Sequence, residues 1–246
     1  MMNLESQRFL MGCSLGDGCL SKAKRNGSVT LHIQRKHDHQ AYAKWQLSKL
    51  NNLLGTKATL RYFLDKGKYP AIRFGVTSKN LLTPIYNLLY PFDKKVFSTE
   101  VLQNLQLPEL ALFWMGDGSL EVRKRKKTSR LEKIERSAWL AVCEDEPTTD
   151  LVGKWIESLT NARFTKVRHV SGNYYLRWHS AQCRNLIKKI EPYVLPCLGY
   201  KVDLTRTGKV SEWLSESHLQ VIEEDDKATR VPRTQFNKYL KGDDIV

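Results

Sequence analysis

The sequence predicts an α+β fold of two pseudo-symmetric halves, each with the order αββαββα. First, an offset of 100 residues aligns LMGCSLGDGCL at 10–20 with LALFWMGDGSL at 110–120, so one unit occurs twice. Second, apolar stretches of helical spacing alternate in each copy with hairpins whose alternate residues are apolar. Helices packed on one face of antiparallel hairpins leave the other face open. We therefore expect two saddle-shaped antiparallel sheets, with the motif helices at the interface of the halves.

The first copy begins with a short apolar helix over 9–15, which ends at Gly16-Asp17-Gly18. Residues 29–36, VTLHIQRK, alternate cleanly after Asn26-Gly27, a strong hairpin turn, and predict a strand with one wet face. The rest of this copy predicts, in order, a helix at 38–54, strands at 57–65 and 71–77, and a helix at 80–90.

The second copy repeats this order. Its motif helix covers 108–115, and Pro108 occupies a first-turn position where proline is tolerated. The elements that follow are a strand at 137–143, a helix at 148–161, strands at 163–170 and 173–179, and a helix at 181–190. We expect an N-terminal half at 1–100, a C-terminal half at 101–205, and a tail at 206–246 of unknown role.

Charge points to a polyanionic partner. The chain carries a net charge of +14 and has a pI near 9.6, and clustered Lys and Arg gain affinity for nucleic acid by releasing counterions from phosphates. The first 202 residues hold 33 basic and 17 acidic residues, against 7 and 9 in the remainder. The basic body is therefore distinct from the tail.

Other classes of protein lack support in the sequence. No apolar run is long enough to span a bilayer, and the N-terminus does not resemble a secretory signal, so an intracellular location is expected, in the cytoplasm or an organelle matrix. Five cysteines without a CxxC pair argue against a disulfide framework. Nucleotide hydrolysis has no support because no phosphate-binding glycine loop is present.

The open sheet faces are the expected DNA-binding surface, since a two-stranded ribbon fits the major groove. The strand pattern places basic and polar side chains there, with further basic residues in the first hairpin of the second copy. These DNA-binding candidates are Lys36, Arg61, Arg73, Arg123, Lys124, Arg125, Lys126, Lys127, Tyr175, Arg177 and His179, together with Gln34.

Asp17 and Asp117 are the candidates for chemistry. Each follows a motif helix between glycines, and glycine lets two helices approach closely, so the two acids are expected near each other. Like charges at short range are stable mainly when hard cations such as Mg²⁺ neutralise them. Two-metal hydrolysis of a phosphodiester uses this geometry. The alternative role, a helix-end cap, is weaker because the motif occurs twice.

These residues resemble the LAGLIDADG homing endonuclease family in its single-chain form with two motifs. The resemblance covers roughly residues 4–205. In the first copy the signature is matched by Leu10, Gly12, Asp17 and Gly18, and in the second by Leu110, Ala111, Asp117 and Gly118, while Leu112 replaces the usual glycine.

The resemblance implies that Asp17 and Asp117 are catalytic acids that bind Mg²⁺, with Mn²⁺ as an alternative, and that each serves one DNA strand. Gly16 and Gly116 are expected to be the accompanying cation ligands. A basic residue is expected near each centre, and Lys95 and Lys201 match best by position, with Lys94 as an alternative to Lys95. Gln34 is expected to orient a water molecule.

The predicted function is site-specific cleavage of both strands of a long DNA duplex by a monomer. The resemblance also implies a gene that lies in an intron and supports intron homing, or is a free-standing mobile element, and products with 5′-phosphates and short 3′ overhangs. Two alternatives use the same fold without cutting: an RNA maturase that binds its own intron RNA, and a DNA-binding regulator. A zinc site at His32, His37 and His39 is disfavoured, because no cysteine pair completes it.

Overall fold

The computed structural model describes residues 3–126 and 132–206, and it confirms an α+β fold with two similar halves. The first half contains α1 (Leu4–Leu15), β1 (Gly18–Lys22), β2 (Val29–Lys36), α2 (Gln40–Leu54), β3 (Arg61–Asp65), β4 (Tyr69–Thr77) and α3 (Lys79–Leu89). A short helix α4 (Thr99–Gln103) connects it to the second half. That half contains α5 (Leu107–Asp117), β5 (Gly118–Lys126), β6 (Glu132–Glu144), α6 (Glu146–Thr160), β7 (Thr165–Arg168), β8 (Tyr174–His179) and α7 (Ser180–Ile190). Both halves thus have the predicted order αββαββα.

The two sheets have the same topology. The strand orders are β1-β2-β4-β3 and β5-β6-β8-β7, and all pairs are antiparallel. Gly18 pairs with Ile33 in the first sheet, and Gly118 pairs with Leu140 in the second. These pairs give a common reference for comparing positions in the two sheets.

The described residues form two compact units that divide the chain differently from the repeat. One unit holds Asp17–Asn87, and the other holds Asn3–Gly16 and the described residues between Leu88 and Arg206. The motif helix α1 groups with the second repeat because it packs along α5. The division into halves at 1–100 and 101–205 therefore remains a prediction from the sequence repeat. The tail after Arg206 lies outside the described residues.

Each sheet buries one apolar face under helices. In the first sheet, Val29, Leu31 and Ile33 point to the core together with Leu50 and Leu82 of the helices. The second sheet and its helices bury the corresponding face through these residues: Ala138, Leu140, Leu176, Trp178, Ile156 and Ile187. The opposite faces carry the polar side chains, as the alternating pattern predicts.

Several element boundaries differ from the prediction, and side-chain hydrogen bonds account for two of them. α1 begins at Leu4 rather than Phe9, because Ser6 N donates to Asn3 Oδ1 at 2.8 Å and caps the helix. β3 begins at Arg61 rather than Lys57. The Asn51 side chain occupies both backbone groups of Ala58, donating to its carbonyl at 2.8 Å and accepting from its N–H at 3.0 Å. That backbone is therefore not available for strand pairing.

Candidate active site and nucleic-acid surface

The helices α1 and α5 pack closely where Gly12 faces the first turns of α5. A Cβ added to Gly12 would lie 2.9 Å from Leu112 Cδ1 and 3.2 Å from Glu109 Cα. Leu112, which departs from the family signature, thus fills the space that Gly12 leaves open. The close approach needs one glycine at this crossing rather than two.

Glu109 is buried beside this crossing and also caps α5. Its Oε2 accepts from Gln106 N at 2.9 Å. Burial raises the pKa of Glu109, although the Gln106 N–H and the positive charge of Arg8 act in the opposite direction. The folded state therefore favours the protonated carboxyl more than the unfolded chain does.

We expect Glu109→Gln to gain stability relative to the wild type as pH rises above about 4.5, the ordinary pKa of Glu. A raised folded-state pKa means that the wild type binds more protons when folded, so its stability falls as pH rises through this pKa. The glutamine side chain keeps a carbonyl for the cap and does not ionise. The measurement is Tm of both chains from pH 4 to 8, and a constant difference in Tm across this range would contradict the expectation.

Asp17 and Asp117 lie at corresponding places, at the ends of α1 and α5. Asp117 is the last residue of α5, and Asp17 follows Gly16, the C-cap of α1. A Cβ added to Gly16 would lie 3.3 Å from Asp117 Oδ2, so the glycine leaves room beside this oxygen. Each acid is therefore positioned by the end of its own motif helix.

Lys95 and Lys201 bind corresponding carbonyls at these helix ends. Lys95 Nζ donates to Leu15 O at 2.7 Å and to Gly16 O at 3.4 Å. Lys201 Nζ donates to Met115 O at 2.8 Å and to Gly116 O at 3.0 Å, and this residue is 6% exposed. An ammonium here satisfies carbonyls that the helix leaves unpaired and complements its dipole.

These contacts separate the predicted lysines from ordinary solvated ones. The neighbouring Lys94 is exposed, and the carbonyl contacts are made by Lys95. The predicted cation ligands Gly16 and Gly116 are the glycines whose carbonyls accept from these ammonium groups. Each helix end thus combines a carboxylate, carbonyl oxygens and one buried or half-buried positive charge.

Arg35 is a site residue that was not predicted from the sequence. Its guanidinium forms an ion pair with Asp17 Oδ2, and its side chain is 2% exposed. Nη2 and Nε donate to Gln46 Oε1 at 3.0 and 3.3 Å, and the ring of Tyr42 lies 4.0 Å from Cζ. The available signal was the strand pattern, which places Arg35 in phase with the buried Leu31 and Ile33 rather than with the exposed face.

The first sheet presents the predicted polar residues on its open face. Gln34 pairs across the sheet with Arg73, and Arg73 pairs with Arg61 on the next strand. The Arg73 guanidinium also lies 4.9 Å from the centre of the Phe63 ring. Lys36 follows on the same face of β2 and is exposed.

The second sheet carries an ordered polar cluster on its open face. Glu121 accepts from Arg123 Nε at 2.7 Å, from Trp139 Nε1 at 3.2 Å and from Ser137 Oγ at 3.3 Å. Burial alone raises the pKa of Glu121, but these hydrogen bonds outweigh it and hold the pKa below its usual value. The carboxylate therefore stays ionised and fixes the three side chains around it.

Arg177 stacks on Trp139 in this cluster, with Cζ 4.2 Å from the ring centre. Its Nε is buried and has no hydrogen-bond partner among the described residues. Tyr175 and His179 occupy the same face of β8, two residues to either side. The described part of the structure does not cover the whole predicted basic run. It leaves out Lys127 entirely, and it leaves out the side chains of Lys124, Arg125 and Lys126.

The counterpart of Gln34 in the second sheet is interrupted by a bulge. Leu140 pairs with Leu176 and Glu144 with Tyr174, so three residues of β6 face Tyr175 alone. Cys143 has a positive φ of 59° within this bulge. Because three residues face one, no single residue of β6 takes the register position that Gln34 has on β2.

The oxygen atoms at the helix ends fit a hard divalent cation. Asp117 has the open space beside Gly16, and the Asp17 side chain is 29% exposed and contacts Arg35 through Oδ2. Carboxylate and carbonyl oxygens are the ligands that Mg²⁺ and Ca²⁺ prefer. A cation site built from one carboxylate and backbone carbonyls is therefore compatible with each acid.

The described residues show no geometry for the alternative of a histidine-based zinc site. Within residues 3–126 and 132–206 no three or more His, Cys, Asp or Glu side chains gather in a way that could hold a metal. His32 instead lies 2.9 Å from Ser21 Oγ through Nε2, and burial together with Arg73 lowers its pKa. None of the helices in these ranges is long and apolar enough to cross a bilayer.

Residues 7–145 match the profile of the LAGLIDADG DNA endonuclease family, which is more than half of the chain. The chain belongs to this family. The matched LAGLIDADG region begins in α1 and ends just after β6, so it includes both motif helices, both acids and Arg35.

Two curated relatives carry the name Protein RecA. The protein from Mycobacterium gastri is 24% identical over 210 residues, which are 82% of this chain and 48% of that protein. The protein from Mycobacterium shimoidei is 26% identical over 210 residues, which are 81% of this chain and 47% of that protein. The LAGLIDADG chain therefore spans about half the length of these relatives.

Solved homing endonuclease structures share the fold at low sequence identity. The homing endonuclease I-WcaI bound to its DNA recognition sequence gives a TM-score of 0.67 at 16% identity, covering 82% of this chain and 87% of that one. The LAGLIDADG homing endonuclease I-SmaMI bound to cleaved DNA gives 0.53 at 12% identity, covering 78% and 85%. I-SmaMI bound to an uncleaved DNA target in the presence of calcium ions gives 0.51 at 12% identity, covering 77% and 85%.

Proposed function

We propose that this LAGLIDADG chain is a site-specific, Mg²⁺-dependent homing endonuclease that cuts both strands of a long DNA duplex. The observation that carries the proposal is the matched pair of helix ends. Asp17 and Asp117 follow equivalent helices, and Lys95 and Lys201 donate to equivalent carbonyls. Family membership and two sheets with polar, basic open faces support the same function.

The reaction is hydrolysis of a phosphodiester bond. Water attacks phosphorus, the bond to the 3′ oxygen breaks, and the products are a 5′-phosphate and a 3′-hydroxyl. A divalent cation such as Mg²⁺ or Mn²⁺ held by Asp17 or Asp117 would favour deprotonation of the attacking water and would stabilise the charge on the leaving oxygen.

The side chains of this chain bind and orient the reactants. Asp17 and Asp117 hold the cations, together with the carbonyls of Gly16 and Gly116, and each acid serves one strand. Lys95 and Lys201 place a positive charge at each centre, where it stabilises the negative charge that develops on the attacked phosphate. Gln34 orients a water molecule at the end of the first sheet.

The open sheet faces bind the duplex. Arg177 and Arg73 lie against the rings of Trp139 and Phe63, and their guanidinium groups supply planar donors for base edges or phosphates. Lys36, Arg61, Arg123, Lys124–Lys127, Tyr175 and His179 extend these contacts. A monomer with two unlike sheets fits a long target without internal symmetry.

Removal of one open-face arginine is expected to weaken DNA binding without changing the fold. Arg73→Gln and Arg177→Gln should each raise Kd by about tenfold, the effect of one lost contact to a phosphate or base. Kd is measured by fluorescence anisotropy across a range of salt concentrations. Lys49→Gln on α2 and Lys188→Gln on α7 remove one exposed charge outside the faces and serve as matched controls. Equal weakening by the controls would show that only net charge matters.

Selection from a randomised duplex library tests the proposed function itself. Incubation with Mg²⁺ should enrich one long site with cuts in both strands, and the ends should carry 5′-phosphates on short 3′ overhangs. Chelation of the cation should stop the cutting. Tight binding of DNA or of intron RNA with no cut in any library member would overturn the endonuclease proposal and favour a regulator or a maturase.

A further inference from the structure

A cavity of about 120 Å³ opens where β8 ends and the chain turns into α7. The pairing of β6 with β8 begins at Ser137 and His179, so Glu135 and Arg136 extend β6 beyond the end of β8. Ser180 follows His179 with a left-handed φ of 46°, which turns the chain away from the sheet. The cavity lies at the step between these two strand ends and has room for several water molecules or one phosphate group.

The lining of this cavity is positively charged. The described residues that line it include Arg123, Glu135, Arg136, Arg177, His179 and Ser180. Glu121 pairs with Arg123 and offsets its charge. Arg136 and Arg177 remain against the carboxylate of Glu135, so the lining keeps a net positive charge.

Two donors of the lining residues have no acceptor. The Nε atoms of Arg136 and Arg177 are buried, and neither has a hydrogen-bond partner among the described residues. Arg177 is also held in place by Trp139, whose ring centre lies 4.2 Å from Cζ. Buried donors without an acceptor are unfavourable, and neighbouring positive charges repel each other. An anion with several oxygen atoms would relieve both costs.

The first sheet holds neutral residues at the matching positions. The register from Gly18–Ile33 and Gly118–Leu140 is regular towards this end of both sheets, and it matches Arg136 with Val29, Arg177 with Gly75 and His179 with Thr77. In the first sheet Thr77 shares a hydrogen bond with Thr30, with 2.8 Å between the two Oγ1 atoms. The strand pairing of this fold therefore does not need the arginines.

We propose that this cavity binds one backbone phosphate of the target DNA through Arg136 and Arg177. This inference rests on the proposed endonuclease function and names one contact of its DNA complex. A phosphodiester carries a full negative charge and two free oxygen atoms, which suit two guanidinium groups, whereas a base edge is uncharged. Arg136 is not among the DNA-binding residues predicted from the sequence, because it is in phase with the buried Ala138 and Leu140.

The position of the cavity on the sheet places this phosphate relative to the cut. Arg123 lies six residues after Asp117 along β5, which is about 20 Å at the rise of an antiparallel strand. Successive phosphates of one DNA strand are about 3.4 Å apart along the helix axis. The contacted phosphate is therefore on the order of six base pairs from the phosphate at Asp117.

Neutralising single phosphates tests this contact without any cleavage. A duplex is enriched from the randomised library by binding alone, with no divalent cation, and is then prepared with one uncharged methylphosphonate at each position in turn. Kd is measured by fluorescence anisotropy. The wild type should bind about tenfold more weakly at one position on the order of six base pairs from the centre of the site. Arg136→Gln should bind the unmodified duplex about tenfold more weakly and lose nothing further at that position.

Arg168→Gln is the matched control, because it removes an exposed arginine of β7 that does not line the cavity. It should keep the full effect of the methylphosphonate. Arg177→Gln is a second variant in the cavity and should lose this effect as Arg136→Gln does, which keeps the test valid if Arg136→Gln does not fold.

The outcomes separate this inference from the proposed function. An equal methylphosphonate effect in the wild type and in both cavity variants would overturn the inference, and a free phosphate ion in the cavity would give that same result. Enrichment of no duplex at all would overturn the inference and the proposed function together. A duplex that shows the expected coupling but is not cut with Mg²⁺ would support the phosphate contact and refute the endonuclease alone.

Discussion

Asp17→Asn and Asp117→Asn are each expected to convert a double-strand cut into a nick. Each amide keeps the shape of the side chain but loses the charge that holds a cation at its helix end. We expect the rate for the affected strand to fall by roughly a thousandfold, about 4 kcal/mol of transition-state stabilisation. The measurement is single-turnover cleavage of a duplex with both strands labelled.

Asp150→Asn is the matched control for these variants. Asp150 pairs with Lys154 and Lys166 on the surface of α6, so its loss should leave both cleavage rates unchanged. DNA affinity should also persist in the two nicking variants, because their open sheet faces are intact. A variant at either acid that still cuts both strands at the wild-type rate would contradict the assignment of that acid.

Gly118→Ala is expected to destabilise the unit that contains α5 by about 3 kcal/mol, the upper part of the range for overpacking a core. The added Cβ would lie 2.3 Å from Trp114 Cδ2 and 2.6 Å from Trp114 O. The indole cannot move aside easily. It is fully buried, its Nε1 donates to Lys201 O at 3.2 Å, and it packs edge-on against Trp178 at 6.5 Å.

The measurement for Gly118→Ala is chemical denaturation monitored by tryptophan fluorescence. Ser119→Ala changes the next residue, which is exposed, and should leave the free energy of unfolding within about 0.5 kcal/mol of the wild type. The carbonyl of Lys201 accepts a hydrogen bond from Trp114, and its Nζ donates to Met115 O at the end of α5. A shift of Trp114 in Gly118→Ala should therefore displace Lys201 and also reduce cleavage. Wild-type stability in Gly118→Ala would contradict the packing described around Trp114.

The repeat made most of the fold predictable from sequence. Two copies of the Gly-Asp-Gly motif and alternating strands such as VTLHIQRK determine the element order, because hydrophobic periodicity is a local property. Boundaries were less predictable where a side chain replaces backbone pairing. Asn51 shortens β3 through Ala58, and this contact crosses seven residues of chain.

The candidate site was predictable only in part. Asp17, Asp117, Lys95 and Lys201 emerge from matching one copy against the other. The hydrogen-bond partners of these residues cannot be obtained in this way, because the partners depend on where each helix ends in space.

Arg35 shows a different limit of sequence-based prediction. Charge on the core side of a strand is visible in the sequence, but its partners Gln46 and Tyr42 come from a separate helix. The bulge around Cys143 was likewise hidden, because a regular strand and a bulged one share the same alternation over most of their length.

Catalysis by the two helix-end acids is tested most directly with the double variant Asp17→Asn/Asp117→Asn on the selected site, with cleavage and binding measured in the same sample. We expect wild-type affinity for the duplex and no Mg²⁺-dependent cut in either strand. Cutting of either strand at a rate near that of the wild type would show that these two acids do not carry out the hydrolysis.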